Sequence, residues 1–213
     1  MIYWDVTKRR KQKHYSGLLR LSHRLENGLR ETGFNAIRTV AWHRRKHCFA
    51  FAERAASRQP VSFQPDDWLV TPEVFDETEK PGFNAWLDSR PCRCAAVFCD
   101  NIPLSHPHFT WPKSVDRHPR YLEWLTRTDR VLAISRGSAA ALREYRDDRN
   151  DDRNTTETDR PEIRTIRLGA DFIPGLPRRR DTPPREGRPG GHLRLLMVGI
   201  LEPRKNHALL LEA

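Results

Sequence analysis

Short runs of β-forming residues alternate with stretches of helical periodicity along most of this 213-residue chain. That alternation constrains the fold more than any other feature, because it is the pattern of a parallel sheet whose strands are joined by crossover helices. The expected strands are Ile2–Val6, Ala36–Trp42, Trp68–Val70, Ala95–Cys99, Val131–Ile134, Ile163–Arg167 and Leu195–Val198. Several are apolar throughout, as strands covered on both faces are. Leu18, Leu21, Leu25 and Leu29 recur at helical spacing behind Ser16 and Gly17, and Gly33 stands where a helix would stop, so a crossover helix is predicted over 17–32. A second helix is expected over Arg117–Thr128, with Tyr121, Leu122 and Leu125 on its apolar side. A third follows Ser135, an N-cap candidate, and carries Ala139, Ala140 and Leu142. The expected fold class is α/β: a Rossmann-like parallel sheet with helices on both faces.

The length suits one complete domain plus a piece of another, given domains of roughly 100–150 residues. A hydrophobic fraction of 37% and a mean hydropathy of −0.77 leave part of the chain outside any core. Arg146–Arg160 has no apolar residue and mixes both signs of charge, so it reads as an exposed loop or frayed helix end. Pro174–His192 holds five Pro, four Gly and five Arg, the composition of an extended connector. The expected organisation is a first domain over 1–173, a linker over 174–192, and the start of a second Rossmann-like domain over 193–213. In that last stretch Leu195–Val198, a turn at Gly199 and a helix from about Asn206 would make one β-loop-α unit, which cannot bury its apolar surfaces alone, so either the rest of a domain is missing, the favoured reading, or this piece joins the first sheet.

The net charge of +10 sits at the two ends. Residues 1–50 carry twelve Lys and Arg against three Asp and Glu, and residues 174–213 carry eight against four, so the middle is about −3. Two readings stand: attraction to phosphate groups or an anionic membrane surface, and an ordinary solvated face. The apolar runs are too short to span a bilayer, and Met1–Asp5 lacks the layout of a secretory signal, so a cytoplasmic protein with reduced Cys48, Cys92, Cys94 and Cys99 is expected. Cys92, Cys94 and Cys99 fit no C-x2-C ligand pair, and no metal site is expected.

The chemistry concentrates in Gly199–Asn206. A glycine at a strand end lets backbone approach a ligand, and the helix that follows presents unpaired N–H groups to an anion. Arg204 and Lys205 add two cations there, an arrangement suited to a diphosphate leaving group, whose developing charge they would stabilise. Asp100 falls at the carboxyl end of a strand, where open α/β sheets place ligands.

The string VGILEPRKNHALLLEA resembles the start of the C-terminal domain of family 4 glycosyltransferases, retaining, metal-independent enzymes of GT-B fold. Three further segments are similar in the same order: Tyr15–Arg20, Phe98–Pro107, and Asp129–Ser138 with Leu168–Asp171 beyond it. The resemblance implies transfer of a hexose, mannose or a relative, from a nucleotide diphosphate sugar to a polysaccharide or lipid-linked acceptor. That donor is a substrate, and no cofactor is implied. Lys205, with Arg204 and Gly199, would hold the donor diphosphate, while Gly17 would either let those phosphates approach the backbone or simply open a helix. Many members carry Arg directly after the glycine, where this chain has Ile200. Asp100 and His106 are the catalytic candidates, with a turn histidine before Pro107 as the other reading of His106. Ser135 is either a helix cap or a ligand contact. The paired glutamates that hold the donor in such enzymes lie beyond this sequence, so the chain alone is expected to be inactive. A saccharide or lipid-linked acceptor and an anionic membrane at the inner face of the cell membrane are the expected partners. A basic nucleic-acid-binding protein or a non-catalytic binding module is the alternative, but zinc-finger spacing and aromatics interleaved with basic runs are missing.

Overall fold

The computed structural model describes residues 1–11, 16–34, 36–53, 59–150, 161–169, 195–199 and 203–212. It divides into two compact units, Met1–Arg167 and Leu168–Ala213. The first is a Rossmann-like α/β unit around a seven-stranded sheet. Its strands are β1 (Ile2–Asp5), β2 (Ile37–His43), β3 (Cys48–Phe51), β4 (Trp68–Thr71), β5 (Arg93–Phe98), β6 (Arg130–Ala133) and β7 (Glu162–Thr165), in spatial order β3-β2-β1-β4-β5-β6-β7. Every neighbouring pair is parallel except β2 and β3. The helices are α1 (Gly17–Glu31), α2 (Phe83–Asp88), α3 (Ile102–Ser105), α4 (Pro112–Leu125) and α5 (Arg136–Asn150). The second unit contains α6 (His207–Glu212).

β1 is the pivot of this order. Tyr3 pairs with Arg38 of β2 on one side and Leu69 of β4 on the other. From β1 the chain crosses through α1 to β2 in one direction, and after β3 it returns to build outward from β4 in the other. Right-handed crossovers therefore put α1 on one face and the later helices on the opposite face. The packing follows: Trp4, Val6, Ile37, Val70 and Ala95 form a small core against Leu25 and Leu29 of α1. Tyr3, Trp42, Phe49, Leu69, Phe75, Phe83, Tyr121 and Trp124 belong to the larger core, which also takes Leu87 of α2, Leu125 of α4 and Leu142 of α5.

Six of the seven expected strands are present. The seventh, Leu195–Val198, belongs to no strand, and Leu196 and Val198 are 88% and 87% exposed. A short apolar run makes a strand only where a partner supplies the hydrogen-bond ladder, and among the described residues none does. In turn β3 was not foreseen. Its CFAF run is too brief to declare itself by periodicity and is recruited as a hairpin partner of β2, with Phe49 opposite Trp42. α4 begins at Pro112, five residues earlier than expected, because proline at the first helical position has no amide to leave unpaired. α5 runs to Asn150, so the first part of the charged run expected as loop or frayed end is helical. The connector over 174–192, together with Tyr15, Ala170, Asp171 and Ile200, lies outside the described residues.

Candidate functional site

In an open α/β sheet the loops leaving two strands on either side of a topological reversal part from each other, and ligands bind in the crevice they leave. Here that place lies beyond the carboxyl ends of β1 and β4. Asp5 ends β1 fully buried, and its carboxylate accepts hydrogen bonds from the Thr7 amide at 3.0 Å, the Thr7 hydroxyl, and the Thr71 hydroxyl at 3.0 Å. It also pairs with the ammonium of Lys80, whose side chain is 1% exposed. Glu73, just past β4, accepts from the backbone amides of Lys8 and Arg9 at 2.5 and 3.3 Å. These bonds stitch the loop after β1 to the loop after β4 and fix the shape of the crevice. Burial, with Asp5 as a neighbouring negative charge, pushes the Glu73 carboxyl up to about 7.

The crevice opens as a cavity of about 770 Å³, within the range of small-molecule sites. Lys8, Lys11, Arg44, Lys80, Lys113 and Arg117 line it against a single carboxylate, Glu79. Glu79 is already engaged by Lys8 at 2.8 Å and Arg117 at 3.3 Å, and Lys80 is neutralised by Asp5 and Glu73. Lys11 and Lys113 have no acidic partner among the described residues. Arg44 donates one N–H to the Thr78 carbonyl at 3.1 Å. The indole of Trp111, 76% exposed, completes the rim. The two basic runs of the N-terminal region thus converge through different elements: Lys8 and Lys11 from the loop after β1, and Arg44 from the β2–β3 turn. A concave site with this balance of charge has the chemistry to attract anions, phosphate above all.

The residues singled out from sequence fall around this edge or in the second unit. Asp100 is exposed directly after β5, and its carboxylate accepts from the Ile102 amide at 3.1 Å, which caps α3. His106 ends α3, exposed, with its ring against the Ser105 hydroxyl at 2.9 Å and stacked on Phe109 at 6.1 Å. Neither lines the cationic cavity. Ser135 caps α5, its hydroxyl accepting from the Ser138 amide at 3.0 Å. Gly17 opens α1 behind Ser16, whose hydroxyl accepts from the Leu19 amide at 3.3 Å. A side chain at Gly17 would meet nothing within 4 Å, so packing does not require the glycine. Its neighbours Ser16 and Leu18 line a smaller cavity of about 130 Å³ that shares Lys8 and Arg117 with the larger one.

In the second unit, Gly199 lies beside Lys205 and His207, whose side-chain atoms come within 3.8 Å of where a Cβ would stand. Pro203–Lys205 forms a 3-10 turn, Asn206 takes a left-handed conformation with φ 51°, and α6 follows. The backbone of Arg204 belongs to that turn, and its side chain lies outside the described set.

No family model matches this chain, and neither a curated protein nor a solved structure does. Among the described residues no group of three or more His, Cys, Asp or Glu is placed to hold a metal ion, and no helix is long and apolar enough to cross a membrane. Sequence reasoning missed Glu73, Lys80, Trp111, Lys113 and Arg117. One signal was present: Lys80 directly follows the acidic stretch from Glu73 to Glu79, which holds no cation of its own, and this marks it as a partner for buried carboxylates.

Proposed function

We propose that this chain is the acceptor-side part of a retaining glycosyltransferase, which moves a hexose from a nucleotide diphosphate sugar to a saccharide or lipid-linked acceptor. The observation that carries the reading is the cationic cavity at the strand reversal of a Rossmann-like sheet, where Lys11, Lys113 and Arg44 stand ready for a phosphorylated ligand. The resemblance of Gly199–Ala213 to the start of a donor-binding domain supports it from the sequence side. In this reading Lys205 and Arg204 meet the donor diphosphate, and Asp100 and His106, at the carboxyl edge of the sheet, face the acceptor. The exposed cations Arg10, Arg45 and Lys46 are available to an anionic membrane surface.

Titration calorimetry of the chain with GDP-mannose, UDP-glucose and related donors tests this. Saturable binding of at least one donor, weakened about tenfold by Lys205→Ala through loss of a charge-assisted contact, is the expected outcome. Tight, salt-dependent binding of duplex DNA with no response to any nucleotide sugar would replace it with the nucleic-acid reading.

A further inference from the structure

We infer that the cavity between the loops after β1 and β4 binds a sugar phosphate, and that this phosphosugar is the acceptor of the transfer. The binding specificity stands on the cavity itself; the acceptor role rests on the glycosyltransferase reading above. The charge count is specific. Lys8 and Arg117 share Glu79, and Lys80 is spent on Asp5 and Glu73, so three cations, Lys11, Lys113 and Arg44, have no counter-ion among the described residues. A phosphate monoester carries roughly −1.5 to −2 at neutral pH and so offsets most of that surplus, which a single carboxylate would not. Arg44 is held in place by the Thr78 carbonyl, which leaves other guanidinium N–H groups to grip a second phosphate oxygen. The hydroxyl of Ser114, in the first turn of α4, adds a neutral donor.

A phosphate alone would leave much of the 770 Å³ empty. Beside Thr7 and Thr78, the open indole of Trp111 lines the cavity and offers one flat apolar face next to the cations. The C–H face of a pyranose fits such a platform while its hydroxyl edge stays hydrated. The cations are also gathered in a concavity, not spread along a stripe, which favours a small phosphorylated ligand over a polyanion.

The probes are inorganic phosphate, glucose 6-phosphate, glucose and GDP-mannose, titrated into the full chain by calorimetry with Trp fluorescence in parallel. Glucose 6-phosphate should bind, glucose should not, and inorganic phosphate should bind more weakly and compete. Lys113→Ala and Arg44→Ala, both at exposed positions, should each weaken glucose 6-phosphate about tenfold. Trp111→Ala should weaken it several-fold while leaving inorganic phosphate unchanged, and Trp111→Phe should restore most of the loss. Arg167→Ala, exposed and outside the cavity, should change nothing. If no probe binds, or if Lys113→Ala and Arg44→Ala bind glucose 6-phosphate as well as the parent, the inference is overturned. If those variants lose GDP-mannose and the parent ignores glucose 6-phosphate, the cavity is a donor site: the inference falls while the glycosyltransferase reading survives. Loss of glucose 6-phosphate in the variants, in a chain that binds no nucleotide sugar, upholds the specificity and removes the reading.

Discussion

The ammonium of Lys80 lies 3.4 Å from the Oε2 atom of Glu73, and that oxygen receives no hydrogen bond from the described residues. The same ammonium pairs with Asp5 and sits 3.7 Å from the centroid of the Phe75 ring. One buried cation therefore balances two buried carboxylates, each ending or following a strand on either side of the sheet reversal. Removing it leaves both carboxylates desolvated against each other. Lys80→Met should destabilise the chain by about 3–5 kcal/mol, the cost of breaking a buried ion pair from one side. Urea denaturation followed by circular dichroism measures this, and a loss under about 1 kcal/mol would show that the triad is not a structural hub.

Two buried titrating groups should act on stability in opposite directions. The Glu73 carboxyl is raised from 4.5 to about 7, so the folded state holds its proton more tightly than the unfolded state does. Its contribution is present at low pH and is lost as pH rises from about 4.5 through about 7. His118 of α4, 4% exposed, is lowered from 6.5 to about 4 by burial, against the opposing pull of Asp100. Here the unfolded state takes the proton first, so stability is lost as pH falls from about 6.5 through about 4. Each displacement is worth about 3 kcal/mol, and where the two windows overlap the slopes cancel. The parent should show a nearly level melting temperature from pH 4.5 to 6.5. Glu73→Gln, which keeps the oxygen that accepts from Lys8 and Arg9, should expose the His118 slope and melt higher than the parent at pH 8. Parallel profiles for the two proteins would refute the Glu73 assignment.

The elements that read clearly from sequence are those whose cause is local. Leu18, Leu25 and Leu29 announced α1 because helix periodicity is written in the helix itself, and Gly33, at φ 81°, stops it as expected. β1, β4, β5 and β6 were legible as short apolar runs for the same reason. The strand β3 and the cavity were not, because each is assembled by the fold. Phe49 becomes a strand residue only opposite Trp42, and Lys11, Arg44 and Lys113 become neighbours only when the segment after β1, the β2–β3 turn and the first turn of α4 meet beyond β1 and β4. Leu195–Val198 shows the converse: a strong local pattern without a ladder partner among the described residues makes no strand. The basic N-terminal region was correctly noted as a charge excess, but its focus on one crevice needed the topology.

A backbone position next to this crevice also carries a testable cost. Gly82 precedes α2 with φ 79°, and a Cβ there would come within 2.7 Å of the His47 ring. Both the left-handed conformation and the close approach demand glycine. Gly82→Ala should lower stability by about 1–3 kcal/mol. His47→Gly in the same chain, which removes both the ring and the Cβ that stands 2.9 Å away, should recover only the part due to the clash. Full recovery in that double variant, measured by thermal denaturation, would mean that the backbone conformation costs nothing.

Ser135 separates a structural role from a ligand-binding one. Its hydroxyl accepts from the Ser138 amide and lies 2.8 Å from the Ser138 hydroxyl, which in turn donates to the Cys99 carbonyl at the end of β5. The first turn of α5 is thereby tied to the strand that leads into Asp100. Loss of the cap should cost about 1 kcal/mol, since an amide at the start of the helix is left without its acceptor. Ser135→Ala should therefore melt a few degrees lower while binding glucose 6-phosphate and GDP-mannose as the parent does. Ser135→Asp, which restores a capping oxygen, should recover the stability. A variant that keeps its melting temperature but loses affinity for either ligand would assign the hydroxyl to binding and take the cap away as its explanation.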